Sequence, residues 1–226
     1  MKATGLLALT CAAMLSVACN GNARNDTTAR STDNNTTVGT TGEVSDNSLK
    51  RGDRSFVDDL TYAGNAEIEL GKLAAKNASS PAVKKFGQMM VDDHSKAGKE
   101  LTQITTMYGM SQPSGLDEKH LALKDRLAKM TGPDFDKAYM DAMVDGHGDV
   151  VDKLESRVDE VNRSATLTGK QEKDTNVKPE TSDNSVTASL NAWAANALPV
   201  VKAHLDQAKT IKDQLSQAEH NTTARK

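Results

Sequence analysis

Four stretches of this chain repeat apolar residues at the three-and-four spacing of one helix face, and each breaks its stripe near the centre with one strongly polar side chain. The first stripe runs Phe56, Leu60, Ala63, Glu67, Leu70, Ala74, and the second Val83, Phe86, Met90, His94, Ala97, Leu101, Ile104, Tyr108. The third reads Phe135, Tyr139, Met143, His147, Val150, Leu154, Val158, Val161, and the fourth Val186, Leu190, Trp193, Ala197, Val200, His204, Ala208, Ile211, Leu215. No stretch alternates with the period of two that marks a half-buried strand, so the pattern predicts an all-α fold built on a four-helix bundle. Helices of similar length stacked side by side would place Glu67, His94, His147 and His204 in one interior layer. An unpaired polar atom there costs roughly 1–3 kcal/mol, so something has to satisfy each of them.

Local punctuation divides the helices. Ser80 before Pro81 reads as the cap and first turn of the second helix, Gly109 with Gln112-Pro113-Ser114-Gly115 closes it, and Gly132-Pro133-Asp134 opens the third. Between them Leu116, His120, Leu123, Leu127 and Met130 keep helical spacing, which predicts a short extra connector helix crossing one end of the bundle. Pro199 falls inside the fourth stripe, where it either kinks the helix or marks a boundary. Two of the stripes echo one another: Phe86 and Tyr139, Met90-Val91-Asp92 and Met143-Val144-Asp145, then His94 and His147 recur at matching offsets. That echo reflects a duplicated helix or convergence on one packing pattern.

The remainder is organised around this domain. Lys2, the apolar run Leu6 to Val17 and the small residues Ser16 and Ala18 have the form of a secretory signal, too short to span a bilayer, so residues 1–18 are expected to be removed on export. Cys19 follows Ser16-Val17-Ala18, an arrangement resembling the lipobox of bacterial lipoproteins, though Ser16 stands where that box more often has Leu. The resemblance implies a lipidated Cys19 as the mature first residue and hence a membrane as partner; ordinary signal cleavage at the same bond is the alternative. Asn20, rather than Asp, after that cysteine implies the outer membrane, facing the periplasm, in a Gram-negative host. Residues 19–52 are Asn, Thr, Ser, Gly and Asp with few apolar side chains, a flexible tether by composition. The compact domain is expected at 53–217, with a polar loop at 164–185 and a frayed tail at 218–226. Cys11 would leave with the signal, so the mature chain holds one cysteine and no internal disulfide. The formal charge of −3 comes without a basic cluster, which argues against nucleic acid as a partner.

Several of these residues together resemble an exported bacterial family, domain-of-unknown-function family 4142. They are Phe56, the run Ala66-Glu67-Ile68-Glu69-Leu70-Gly71-Lys72-Leu73-Ala74, Met90-Val91-Asp92-Asp93-His94, Phe135-Asp136-x-x-Tyr139 with His147, and Leu198-Pro199 with His204. The resemblance spans about Asp53 to Ile211 and implies a ferritin-like four-helix bundle in an exported protein, often a lipoprotein. It implies fold and compartment rather than activity or protein partner. The polar 164–185 segment is longer than that family's usual connection.

The chemistry of the layer narrows the choices. A ferritin-like di-iron centre needs Glu-x-x-His on two helices, yet Val91, Val144 and Val201 stand three residues before His94, His147 and His204. Three imidazoles and one carboxylate instead make a plausible set for a single transition-metal ion, zinc, iron, manganese or copper, with Glu67, His94, His147 and His204 as ligands. Asp93 and Glu69 flank the stripe and are expected to orient imidazoles as outer acceptors. Met90 and Met143 precede two of the histidines by one turn, as soft neighbours of copper or as core gap-fillers. The alternative to ligation is a buried cluster in which Glu67 pairs with a protonated histidine and only helix packing is served. His120 and His220 are expected at the solvent. No Ser-His-Asp spacing, phosphate loop or zinc knuckle occurs, so a binding or structural protein is expected ahead of an enzyme.

Overall fold

A computed structural model describes residues 49–159 and 177–223. Five helices account for most of them: α1 Arg51–Asn77, α2 Pro81–Met107, α3 Glu118–Ala128, α4 Gly132–Glu155 and α5 Ser185–Thr223. No strand occurs among the described residues, only an isolated bridge of Val158 to Pro179. The expected all-α bundle is therefore what the chain forms. The signal, Cys19, the tether up to residue 48 and most of the polar 164–185 connection lie outside the described residues. At the other end α5 continues to Thr223, beyond the expected domain limit at residue 217. No helix among the described residues is long and apolar enough to cross a membrane.

Contacts at the helix ends give the directions. The start of α1 meets the end of α4 through Asp53 and Arg157 and the start of α5 through Thr187. The end of α1 meets the start of α4, where Ser79 and Ser80 donate to Asp136. The order is thus α1 up, α2 down, α4 down and α5 up, with α2 and α4 parallel and joined by the segment that contains α3. That connector does not cross the end of the bundle as expected. Its successive contacts, Gly115 with Asn65, Lys124 with Glu69 and Met130 with Asn77, climb α1 in step, so it runs along the flank of α1. A chain that must start α4 at the level where α2 started has to travel the full height of the bundle, and the amphipathic α3 does so while burying Leu127.

The stripes face inward as the spacing predicts except at Val200, which is 46% exposed while Val201 is buried in its place, and the polar layer splits the core in two. On one side lie Phe56, Leu60, Leu101, Val150, Leu154, Leu198 and Val201; on the other Leu70, Phe86, Met90, Phe135, Tyr139, Met143, Ala208 and Ile211. Pro199 does not mark a boundary, because α5 runs through it, with the ring exposed. On the solvent side the backbone bond that proline deletes is the least costly to lose.

The start of α2 departs from the local reading. Ser80 occupies the cap position of α2 but its side chain bonds no backbone amide there. Asp136, on α4 and 1% exposed, accepts from the backbone N–H of Ser79 at 3.0 Å and of Ser80 at 2.8 Å. A carboxylate from a neighbouring helix thus does the capping, which accounts for the acid in Phe135-Asp136-x-x-Tyr139.

Helices α1 and α2 come closest at Gly71 and Gly87. A Cβ on Gly71 would lie 2.4 Å from the Gly87 carbonyl oxygen, and one on Gly87 would lie 2.6 Å from the Ala74 Cβ. The obstacle at Gly71 is backbone, which cannot rotate away. Gly71→Ala should therefore force the pair apart and lower unfolding free energy by about 1–3 kcal/mol despite alanine's better helix propensity. A chemical denaturation midpoint equal to or above that of the parent would show that the contact is not tight.

Candidate metal centre

The layer forms as one cluster. Glu67 comes from α1, His94 from α2, His147 from α4 and His204 from α5, each at the middle of its helix, so four separate backbones converge on one point. His147 is fully buried, His204 and Glu67 are 4% and 5% exposed, and only His94 is partly open. The imidazole rings stand 5.6–5.7 Å apart between centroids, and one donor atom from each of the three lies within 4.8 Å of the others. Ligands on a tetrahedral ion with bonds of about 2.1 Å sit about 3.4 Å apart, so the set needs to close by at most about 1.4 Å. Glu67 stands at the edge of this triad. Its Oε2 lies 2.6 Å from His94 Nε2 and its Oε1 3.2 Å from His147 Nδ1.

Outer contacts decide which ring nitrogens carry hydrogen. The Met143 carbonyl oxygen accepts from His147 Nδ1 at 2.9 Å, and the Asp93 carboxylate accepts from His204 Nε2 at 2.9 Å. In the neutral rings this leaves the lone pairs on His147 Nε2 and His204 Nδ1. Both of those atoms are buried without a partner among the described residues, and so are Glu67 Oε2 and His94 Nε2. The last two lie 2.6 Å from each other without the alignment of a hydrogen bond, and a shared proton or a cation would satisfy both. Four of the seven such orphaned side-chain atoms belong to these four residues. A random scatter of unmet polar groups would not share one point.

Electrostatics follow the same geometry. Burial opposes ionisation of Glu67, but the positive potential of His94 and His147 outweighs it and holds the carboxyl down to about 2. Burial likewise works against protonation of His94, and the Glu67 charge overcomes it, so that pKa is raised. His204 goes the other way: burial lowers its pKa, and the Asp93 hydrogen bond offsets this only in part. The layer is therefore an anionic acid among imidazoles of unequal basicity.

The flanking residues sort by contact. Asp93 orients His204, as the spacing suggested. Glu69 does not approach an imidazole; its oxygens meet Lys72 at 2.7 Å and Lys124 at 2.6 Å, because that side of α1 faces α3. Met143 enters through its main-chain oxygen. Met90 is packed at 0% exposure in the apolar half that holds Phe86 and Tyr139. His120 is not at the solvent as expected: it is half-buried, with Nδ1 2.6 Å from Asp117, whose side chain also caps α3. His220 is exposed.

One residue of this neighbourhood has no signal in the stripe. Tyr139 lies fully buried, stacked on Phe135 with centroids 5.6 Å apart, and its hydroxyl has no partner among the described residues. Burial, with the negative charge of Glu67 added, raises its pKa. An aromatic belongs on an apolar stripe, so only tertiary placement reveals that this hydroxyl is unmet. Tyr139→Phe removes no hydrogen bond and should leave stability within about 1 kcal/mol, a change readable as a denaturation midpoint.

The sequence model of the family described as Domain of unknown function (DUF4142) matches residues 38–168. This chain belongs to the DUF4142 family. No curated protein and no solved structure matches it. The DUF4142 match contains Glu67, His94 and His147 and ends before α5, which brings His204. The DUF4142 description names no activity, so function must be argued from the cluster.

Proposed function

We propose that the protein holds one transition-metal ion in the middle of its bundle, with the three imidazoles of His94, His147 and His204 and the carboxylate of Glu67 as ligands. The observation that carries this reading is the convergence of four side chains from four helices, with His147 Nε2 and His204 Nδ1 left unmet among the described residues on rings whose tautomer is set by an outer acceptor. Outer acceptors of this type are what metal-ligating histidines use to fix ring orientation and basicity. With neutral rings the four residues carry one net negative charge, which a divalent cation would overcompensate and an empty dry interior would leave exposed. Nitrogen-rich donors suit zinc, iron, manganese or copper. The single carboxylate and the valines at positions 91, 144 and 201 speak against a di-iron oxidase.

The up–down–down–up order with one long crossover is the connection used in ferritin-like bundles, and we read the fold as one of them. On the signal and lipobox resemblance we place the protein outside the cytoplasm, tethered by Cys19 to the outer membrane. Buffering of an envelope metal or protection against metal or oxidative stress is the role that fits a buried site on a tether.

A second reading rests on the 2.6 Å approach of Glu67 to His94. A buried acid and a protonated imidazole neutralise one another, and the layer then serves only to hold helix register in a structural or interaction protein. Elemental analysis of the purified full chain separates the two. The metal reading expects about one ion per chain, lost in His147→Ala while circular dichroism shows the variant still helical. Metal-free parent protein whose melting is unmoved by added ions would leave the packing role.

A further inference from the structure

The polar layer does not close the bundle on every side. Between α1 and α2, on the side of the layer away from the Gly71–Gly87 contact, a cavity of about 640 Å³ reaches inward to Glu67 and His94. Its origin is local: the helices touch closely at Gly71 and Gly87, but the residues facing the gap on this side, Ala63, Gly64, Ala97 and Gly98, are too short to fill it. The floor is supplied by the opposite hairpin, with Leu154 of α4 and Trp193 of α5. Gln112, from the segment after α2, accepts from Thr102 at 2.8 Å and donates to Thr61 at 3.3 Å, tying the two helices together beside the opening. The volume falls in the range of small-molecule sites, and apolar walls ending on a few convergent polar groups are their usual makeup.

The geometry points to a binding site for a small amphiphile, its apolar body along Leu60, Leu101, Leu154 and Trp193 and its oxygen-bearing head against His94 and Glu67. His94, the ligand of the cluster that is partly open, lies on this wall, so the head can reach the ion's coordination sphere from the cleft. This part rests on the metal reading: an ion of charge two over one carboxylate favours an anionic head more than the ion-free cluster does. The apolar part of the site does not depend on it.

Trp193 is the sole tryptophan of the chain, so its fluorescence reports on the cleft alone. Titration of the full chain with decan-1-ol and with decanoate, before and after loading with zinc, tests the assignment. Decan-1-ol should shift Trp193 emission saturably with or without zinc. Ala97→Phe, which fills the gap while leaving the four cluster residues and Trp193 unsubstituted, should weaken that response about tenfold while leaving zinc content at the parent level. Zinc should improve decanoate binding about tenfold relative to decan-1-ol. Absence of a saturable response to either probe, or an unchanged response in Ala97→Phe, would overturn the site whatever the zinc content. Equal effects of zinc on the two probes in protein shown to hold zinc would overturn the placement of the head. Protein that takes up no zinc but binds decan-1-ol in an Ala97-dependent way would instead remove the metal reading and leave the cleft as a site.

Discussion

Saturation with a fitting divalent ion is expected to raise the melting temperature of this protein by about 8–16 °C. The argument is one of linkage: an ion that binds only the folded state adds RT ln(1 + [L]/Kd), about 4 kcal/mol at a thousandfold excess over Kd, and a domain of this size gains about 2–4 °C per kcal/mol. The folded state is the only one that can offer such a site, because Glu67, His94, His147 and His204 lie on four helices and share no local stretch of chain. In His147→Ala the shift should vanish even at millimolar ion. In Tyr139→Phe it should persist, since that hydroxyl is not placed among the ligands. Differential scanning calorimetry across zinc, manganese, iron(II) and copper(II) reads the outcome. A melting curve that stays still under all of them would remove the metal site and return the layer to a packing role.

The second large effect lies at the other end of the molecule. Asp53, 2% exposed, accepts from Arg157 at 2.6 Å and from Thr187 at 2.7 Å. The same guanidinium donates to the Gly52 carbonyl at 3.0 Å and sits over the Phe56 ring, 4.3 Å from its centroid. One carboxylate thus ties the start of α1 to the end of α4 and the start of α5. Asp53→Ala should lower unfolding free energy by about 3–5 kcal/mol, because it strands a largely buried guanidinium rather than because the pair itself is worth that much. The distinction can be measured. Arg157→Met in the Asp53→Ala background should recover most of the loss, since no charge then lies unpaired, while Arg157→Met alone should cost about as much as the aspartate change. Additive losses in this double-mutant cycle would mean that the two residues stabilise the domain independently. Zinc content should be unaffected in all three variants, as none touches the layer.

The helices themselves were legible in the order of residues. Stripes at helical spacing name the inward faces of α1, α2, α4 and α5, and the interruption of each stripe by one polar residue singles out Glu67, His94, His147 and His204 before any packing is known. Their shared depth follows in part: α1, α2 and α4 are of comparable length, whereas α5 is 39 residues long and its packing sets the level of His204. What a single helix cannot announce is which neighbour its flanks will meet. Asp93 and Glu69 both border a stripe, yet Asp93 faces α5 and reaches His204 while Glu69 faces α3 and is held by two lysines. Asp136 looks like an ordinary acid near a helix start until the end of α1 and the start of α2 are laid against it.

The linear pattern of apolar and polar residues therefore determined an all-helical bundle, its inward faces and the four polar side chains of its central layer, because burial of one face depends on a period that the chain carries in itself. Tertiary structure alone decided the path of α3 along α1, the remote capping of α2, the tautomers of two imidazoles and the cleft that opens toward His94. Each of these depends on the distance and angle between two helices, and those are set by contacts such as Gly71 on Gly87 whose partners are separated along the chain and carry no periodic signal of each other.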